Sequence, residues 1–249
     1  MIPIRQQPTV DLLDVRELRL IEVPRPPLPP EHQTARDTLW DKAAQANPAL
    51  FDGPIVACPR LERTSPHEIT LHWTRATYRD YALRWVPEAA TLPSLFVDVL
   101  QPTDDGALLI ARMSPATAAP GRWQLPGGSV EQPGPGNTLD TAGLRDNAAR
   151  ELVEETGVDT DPDDLTLWAL TRGTNGNIGV HFMAPARPLA HLNKHFTAVV
   201  TAAEAAGQKP ELDQITPVRT PADLANLTGP HVDYLEPVVD QYARILRLR

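Results

Sequence analysis

The sequence predicts an α+β fold, because strand pairs joined by tight turns are interleaved with helices. Residues 94–102 and 107–113 flank a TDDG segment whose Asp105-Gly106 pair is a hairpin signal. Residues 165–173 and 178–185 flank a TNGN segment in the same way. Helical patterns follow at 192–206 and 232–247. Hairpins interleaved with helices favour a mixed sheet with helices packed on its faces.

The first 90 residues contain their own set of predicted elements. Residues 15–23 are strand-like, and a Pro-rich connector separates them from a helix at 31–47. A turn then leads into two strands, and the second of them alternates Ile69, Leu71 and Trp73. A short helix at 78–85 closes the segment. We therefore predict two units, an N-terminal extension at residues 1–90 and a main domain at 91–249.

Composition and charge restrict the class of partner. A chain of 249 residues with 41% hydrophobic and 22% charged residues is typical of a soluble globular protein with a sizeable core. The net charge of −9 argues against a general binder of nucleic acids or anionic membranes. A phosphorylated small molecule remains a suitable partner if a divalent cation bridges it to the protein. Monomer and homodimer both stay open.

Cellular context follows from what the sequence lacks. There is no run of 18 apolar residues and no basic segment followed by an apolar one at the N-terminus, so we expect a cytoplasmic protein. Cys58 is the single cysteine and is expected to be a small buried hydrophobic residue in a strand. His181 is expected to be a strand residue, because no second His or Cys stands at metal-binding spacing.

Three glutamates on one predicted helix form the main candidate site. Glu151, Glu154 and Glu155 fall within an arc of roughly 100° on an ideal helix. Neighbours at these spacings lie about 5–6 Å apart, which lets their carboxylates share a hard divalent cation. Without a cation the like charges destabilise the helix, although Arg150 can hold one carboxylate in place. The alternative is an ordinary solvated acidic face.

A pair of glycines precedes this helix. Gly127 and Gly128 follow a strand-like RWQL segment and Pro126, and a glycine pair lets the backbone approach a ligand or metal closely. Gly157 stands where a helix C-cap is expected. The glycines and the glutamates together favour a binding site over a solvated helix face.

These two segments resemble the Nudix box, GX5EX7REUXEEXGU. RELVEETGV at residues 150–158 matches its second half at every fixed position, and WQLPGGSVE at 123–131 resembles its opening, with Gly128 as the first glycine. The chain thus resembles the Nudix hydrolase family over roughly residues 92–235. The resemblance implies a Nudix-like α/β/α sandwich with a mixed sheet for residues 91–249, carrying an N-terminal α+β extension.

One departure from the family pattern concerns the spacing between the two halves. Residues 129–149 separate Gly128 from Arg150, eight more than the family has. The box's first glutamate, mostly a supporting residue in the family, is replaced by Ala142 in one register and by Gly134 in the other. Glu131 and Asp140 are candidate replacements. We interpret residues 129–140 as an insertion, after which the helix begins late or bends.

The resemblance also implies a reaction and its residues. The family reaction would be hydrolysis at the diphosphate of a nucleoside diphosphate linked to another moiety, either a nucleotide sugar or an ADP-ribose-like compound, with Mg²⁺ or Mn²⁺ as cofactor. The metal would be held by Glu151, Glu154, Glu155 and the Gly128 carbonyl. Glu151 or Glu155 would act as the base, or a late-loop acid would, for which Glu211 and Asp213 are candidates. Substrate contacts are expected from Arg112, Arg122, Gly127 and Glu211.

Two other functions are compatible with the same fold. A non-catalytic nucleotide-binding sensor is favoured by the missing first glutamate and the long insertion, and opposed by the intact REUXEE glutamates. A diphosphate isomerase would need a nucleophilic cysteine in the cleft, and Cys58 lies outside the box.

Overall fold

The computed structural model describes residues 9–248, which contain eleven strands and five α-helices. Two 3-10 helices, Tyr78–Trp85 and Pro162–Asp164, join them. In chain order the elements are β1 (Asp11–Leu13), β2 (Glu17–Glu22), α1 (Pro30–Ala46), β3 (Pro54–Ser65), β4 (Glu68–Thr77), β5 (Leu95–Leu100), β6 (Leu108–Met113), β7 (Trp123–Gln124), β8 (Gly127–Ser129), α2 (Thr141–Thr156), β9 (Thr166–Arg172), β10 (Ile178–Met183), α3 (Leu189–Ala205), β11 (Leu212–Val218), α4 (Pro221–Leu224) and α5 (Leu235–Arg247).

Two sheets form the centre of the main domain. The larger sheet has the strand order β1-β9-β10-β5-β8, with β10 and β5 parallel and the other pairs antiparallel. The smaller sheet has the order β11-β6-β7. Helix α2 packs against β5 and β8, whereas the apolar side chains of α5 join a second core with β6 and β7. These layers confirm the predicted α/β/α sandwich with a mixed sheet.

The N-terminal region, residues 9–90, adds a third sheet to this sandwich. Its strands have the order β2-β4-β3, and α1 packs against the 3-10 helix Tyr78–Trp85. Buried side chains of β4, such as Trp73, belong to the same hydrophobic core as Val97 of β5. Strand β1 of this region also pairs with β9 of the main domain. The N-terminal region thus shares a sheet and a hydrophobic core with the main domain. The boundary at residue 90 stays a prediction.

The expected hairpin of residues 94–113 forms only at its turn, where the Thr103 N–H donates to the Ala107 carbonyl at 2.7 Å, and the expected pairing of its two strands is wrong. β5 and β6 lie in different sheets, because β5 is already paired with β10 on one edge and β8 on the other. A single bridge, Pro102 to Leu108, joins the two strands where the turn closes. The second expected hairpin is confirmed, since β9 and β10 pair antiparallel with a bulge at His181.

Helix α2 begins directly after the insertion. Asp140 caps it by accepting a hydrogen bond from the Gly143 N–H at 2.8 Å. Leu144 in its first turn is fully buried, so the late start expected from the sequence is not seen. Gly157 ends the helix in the left-handed conformation, with φ of 72°, which confirms the predicted C-cap.

The insertion is fastened to the N-terminal region. The Gln132 side-chain amide donates to the carbonyls of Ile55 at 3.0 Å and Ala76 at 2.7 Å. Arg75 on β4 donates to the Pro133 carbonyl at 2.8 Å. The loop between the two halves of the site is therefore tied to the sheet beside it. Within residues 9–248, every helix is too short or too polar to cross a membrane.

Candidate active site

The Gly127-Gly128 pair, here called the glycine turn, is bounded by two carboxyl groups. Gly127 pairs with Asp98 across β5 and β8 and has φ of 149°. A Cβ at Gly127 would lie 2.5 Å from Asp98 Oδ1, and a Cβ at Gly128 would lie 2.5 Å from Glu151 Oε2. Only glycine fits at either position without displacing its neighbours. The glycines thus let the carboxylate of Glu151 lie against the backbone.

Glu155 is buried beneath the glycine turn. Its side chain is 4% exposed, and its Oε2 accepts a hydrogen bond from the Gly127 N–H at 2.8 Å. Its Oε1 is buried and has no hydrogen-bond partner in the described part of the chain. Burial, and then the charge of Glu211, raise the pKa of Glu155 well above its usual value. Buried polar atoms normally have a partner, so the unpaired Oε1 of Glu155 is suited to accept a hydrogen bond or to bind a cation.

Glu151 lies between Glu155 and the solvent. Its side chain is 14% exposed, and Arg150 Nη2 lies 3.2 Å from its Oε1. Burial raises the pKa of Glu151 to about 7, against the lowering effect of Arg150. The charges of Glu211 and Glu154 raise this pKa further. A cation at this position would reverse the repulsion among these carboxylates.

Arg150 connects three acidic side chains. It lies 3.2 Å from Glu154, 3.2 Å from Glu151 and 3.4 Å from Glu131. Of the two candidate replacements for the box's first glutamate, Asp140 caps α2 and only Glu131 reaches this arginine. The geometry therefore favours Glu131 in the supporting role.

Glu211 comes to the same place from a distant part of the sequence. It directly precedes β11, and its backbone carbonyl accepts a hydrogen bond from the Ser114 N–H at 2.7 Å. The side chain of Glu211 is exposed at the surface, but the protein atoms around it displace part of its hydration; this desolvation, and then the charge of Glu154, raise its pKa. Its charge in turn raises the pKa of Glu151 and of Glu155. We call Glu151, Glu154, Glu155 and Glu211 the glutamate cluster.

The glutamate cluster fits a divalent cation by its chemistry. It offers carboxylate oxygens, the ligands that hard cations prefer, and one of them is the unpaired Oε1 of Glu155. The side chains do not yet surround one point, since no three His, Cys, Asp or Glu residues within 9–248 stand in metal-ligand geometry. Glu154 and Glu211 are exposed, so their carboxylates have room to rotate.

Two of the predicted arginines have different surroundings. Arg112 forms a two-pronged ion pair with Asp213, with N–O distances of 2.7 and 3.2 Å, so both side chains are engaged with each other. Arg122 instead lines a cavity of about 360 Å³ beside the glycine turn, which we call the turn cavity. The substrate role predicted for Arg112 has no support in these contacts, whereas Arg122 is placed for one.

A buried polar group lies beneath the turn cavity. Asp98 is 2% exposed and is hydrogen-bonded to the Tyr234 hydroxyl, and burial raises its pKa to about 8. His181 Nδ1 lies 3.5 Å from Asp98 Oδ2, and burial lowers the pKa of His181 to about 3. His181 is therefore a buried, uncharged strand residue.

Burial also raises the pKa of Cys58 to about 12, in keeping with its expected buried position.

Sequence reasoning missed three side chains that adjoin the site. Tyr78 and Arg84 come from the 3-10 helix of the N-terminal region: Tyr78 hydrogen-bonds the Ser129 side chain, and Arg84 lines the turn cavity. Neither position carries a local signal. Asp98 does, because a lone acidic residue interrupts the apolar strand LFVDVL.

Comparisons with known proteins show the family to which this chain belongs. The family model described as NUDIX domain matches residues 94–239. A search of the curated proteins gives no match. Among solved structures, a MutT protein from Methanosarcina mazei Go1 is 20% identical over 62% of this chain and 96% of its own, with a TM-score of 0.41.

Two further solved structures have similarly low sequence identities and TM-scores. A Nudix hydrolase from Nitrosomonas europaea is 16% identical over 63% of this chain and 89% of its own, with a TM-score of 0.35. The other is a bifunctional NMN adenylyltransferase/ADP ribose pyrophosphatase from Francisella tularensis, complexed with AMP and a Mn ion. It is 15% identical over 68% of this chain and 44% of its own, with a TM-score of 0.35. Identities and TM-scores are low, so the assignment rests on the family model. The chain belongs to the Nudix family of hydrolases.

Proposed function

We propose that this hydrolase cleaves the diphosphate of a nucleoside diphosphate linked to another moiety, with Mg²⁺ or Mn²⁺ as cofactor. The main support for this proposal is the buried carboxyl group of Glu155. It lies directly beneath the glycine turn, and it has an unpaired oxygen and acidic neighbours. A structural carboxyl group at this depth would have a donor for each oxygen. Its present surroundings favour a cation instead.

Individual residues have distinct parts in this proposal. Glu151, Glu154, Glu155 and the Gly128 carbonyl would hold the cation. When bound, it supplies positive charge that offsets the diphosphate and lowers the pKa of water. Arg150 keeps Glu151 and Glu154 oriented through its two ion pairs. Glu211, which belongs to a separate loop, is then the carboxylate best placed to take a proton from water, with Glu151 and Glu155 as alternatives.

The substrate class is proposed at two levels. The turn cavity adjoins the glycine turn and has a predominantly polar lining that includes Gln124, Asn175 and Asn177. Amide groups of this kind suit the hydroxyl-rich part of a nucleotide sugar or of an ADP-ribose-like compound. We therefore propose that the diphosphate lies where the glutamate cluster meets the turn cavity and that the attached moiety lies in the turn cavity.

A panel of nucleotide sugars, dinucleotides and nucleoside triphosphates tests the proposal. Release of phosphate-containing products is measured with Mg²⁺, with Mn²⁺ and with EDTA. We expect turnover of a diphosphate-linked compound that requires a divalent cation and is lost in Glu155→Gln. No turnover across the panel, with metal binding intact, would contradict the proposal and favour a nucleotide-binding sensor.

A further inference from the structure

The turn cavity is built by two parts of the chain. One side belongs to the main domain and includes Arg122, the glycine turn and loop residues such as Asn175. The other side is formed by Tyr81 and Arg84, which lie on the 3-10 helix of the N-terminal region, outside the 94–239 family match. The N-terminal region therefore reaches the space next to the glutamate cluster.

Arg84 is held in place without an ion pair. Its Nε donates to the Tyr81 carbonyl at 3.0 Å, and its guanidinium carbon lies 4.4 Å from the centre of the Tyr81 ring. The Tyr81 hydroxyl is itself anchored to Ser94. A guanidinium stacked on a fixed ring is pre-organised, so little conformational entropy is lost when it binds an anion.

Neither arginine of the turn cavity forms an ion pair within residues 9–248, although Arg122 lies close enough to the buried Asp98 for its charge to lower the pKa of that carboxyl group. Most other arginines in that part of the chain form an ion pair, including Arg75, Arg112 and Arg172. In the described residues the Arg122 side chain donates to Gln124 at 2.8 Å, and its Nε is buried without a partner. Two guanidinium groups that form no ion pair in this part of the chain thus share one cavity in a protein with a net charge of −9.

The carboxyl groups in the lining of the cavity are engaged elsewhere. Asp233 Oδ2 accepts hydrogen bonds from the backbone N–H of Thr174 at 2.7 Å and from its hydroxyl at 2.8 Å. Asp98 is buried and hydrogen-bonded to Tyr234. Neither carboxyl group forms an ion pair with Arg84 or Arg122 in the described chain, so both guanidinium groups keep N–H donors for a ligand, and the glycine turn places that ligand beside the glutamate cluster.

We infer that Arg84 and Arg122 together bind the phosphate of the substrate diphosphate that lies farther from the glutamate cluster, so that the N-terminal region contributes a specificity-determining residue to the site. The inference rests on the proposed function. A guanidinium binds phosphate through two parallel N–H donors, which a lysine cannot reproduce. Arg84 would favour diphosphate-linked compounds over monophosphates by adding a second anchor for the anion.

Two uncleavable probes test this inference in the full-length chain with Mg²⁺. α,β-Methylene-ADP carries a nucleoside, and methylenediphosphonate carries only the two phosphorus groups. Dissociation constants are measured by titration calorimetry for the parent protein and for Arg84→Ala, Arg84→Lys and Arg122→Ala. Arg16→Ala is the matched control, because Arg16 is also exposed and unpaired in the described chain but lies outside the turn cavity.

The inference requires that each arginine variant lose the same affinity for both probes. We expect Arg84→Ala and Arg122→Ala each to weaken both probes about tenfold, Arg84→Lys to weaken them less, and Arg16→Ala to leave them unchanged. In turnover assays Arg84→Ala should raise KM with little change in kcat, because the contact is the same before and during the reaction. Thermal unfolding without ligand checks that each variant is folded.

Other outcomes separate this inference from the proposed function. If Arg84→Ala weakens only α,β-methylene-ADP, Arg84 contacts the nucleoside and the inference is overturned. If the parent hydrolyses a diphosphate with Mg²⁺ and Arg84→Ala binds both probes as the parent does, the inference fails alone. If the parent binds neither probe and hydrolyses nothing, both fail together.

Discussion

Two buried carboxyl groups in this protein have opposite surroundings. Asp80 in the N-terminal region is 2% exposed and accepts hydrogen bonds from Arg25 at 2.6 Å, Arg36 at 2.8 Å and the Thr77 N–H at 3.0 Å. Glu155 in the candidate site is 4% exposed and accepts one, from Gly127. Asp80 has cations around it, whereas the neighbours of Glu155 are acidic.

The difference separates a carboxyl group that the protein itself compensates from one that has the surroundings expected for the proposed cation site. Burying a charge is costly unless donors and opposite charges compensate for it. Asp80 is compensated and ties α1 and the Pro-rich connector to the 3-10 helix. Glu155 is not compensated by the protein, and its neighbours make an added negative charge more costly. Sites that bind cations have this property, because the missing positive charge arrives with the ligand.

The largest expected effect is on folding stability at Asp80. Asp80→Ala removes the ion-pair partner of Arg25, leaves Arg36 with Asp37 alone, and should lower the free energy of unfolding by about 3–5 kcal/mol. Glu155→Gln should leave it unchanged or raise it, because Gln has the shape of the protonated acid. Urea unfolding of the metal-free proteins measures both values. If Glu155→Gln were as destabilising as Asp80→Ala, the contrast between the two regions would be wrong.

The next effect concerns metal-induced stabilisation. A cation that binds only the folded state should raise the free energy of unfolding of the parent by about 2.7 kcal/mol at a hundredfold excess over Kd. Glu154→Gln and Glu155→Gln should lose most of this gain, because each removes one negatively charged ligand. Thermal unfolding with EDTA and with millimolar Mg²⁺ or Mn²⁺ measures it. If the metal raised the unfolding temperature of the parent and of both variants equally, the glutamates would be an ordinary solvated acidic helix face and not a metal site.

The smallest effect, when it is taken over a single pH unit, is a pH dependence at Asp98. Burial raises its pKa to about 8 in the folded protein, so folding favours the protonated form. The stabilisation is complete below the unfolded pKa and is lost as pH rises through 8, by at most about 1.4 kcal/mol per pH unit. Between pH 4 and 8 the stability of the parent should therefore fall relative to Asp98→Asn. Denaturant unfolding across this range, with EDTA present, checks it; parallel curves would contradict the raised pKa.

Prediction from the sequence succeeded where the information is local. The spacing of Glu151, Glu154 and Glu155 on a helix that ends at Gly157 needs only helical periodicity and a cap. The close approach at Gly128 follows from the absence of a side chain. The turn at Asp105-Gly106 is present, but the predicted pairing of β5 with β6 failed, because a turn signal does not reveal that β5 already has a partner on each edge.

Contacts between distant segments were beyond the sequence. Glu211 was a candidate only through the family resemblance, and its proximity to Glu151 depends on how β11 pairs with β6. Arg84 and Tyr78 reach the site because the N-terminal sheet shares a core with the main domain. No periodicity in a single chain encodes which of many compatible surfaces come together.

The sequence by itself determined the α+β class, the acidic helix face and the glycine pair, since each depends on residues within one or two turns of one another. The tertiary structure alone decided that Glu155 is buried with an unpaired oxygen, that Asp140 caps the helix while Glu131 faces Arg150, and that the insertion is fastened to β4. Burial and charge compensation are properties of a packed environment. They arise only when segments far apart in the chain exclude water from the same place.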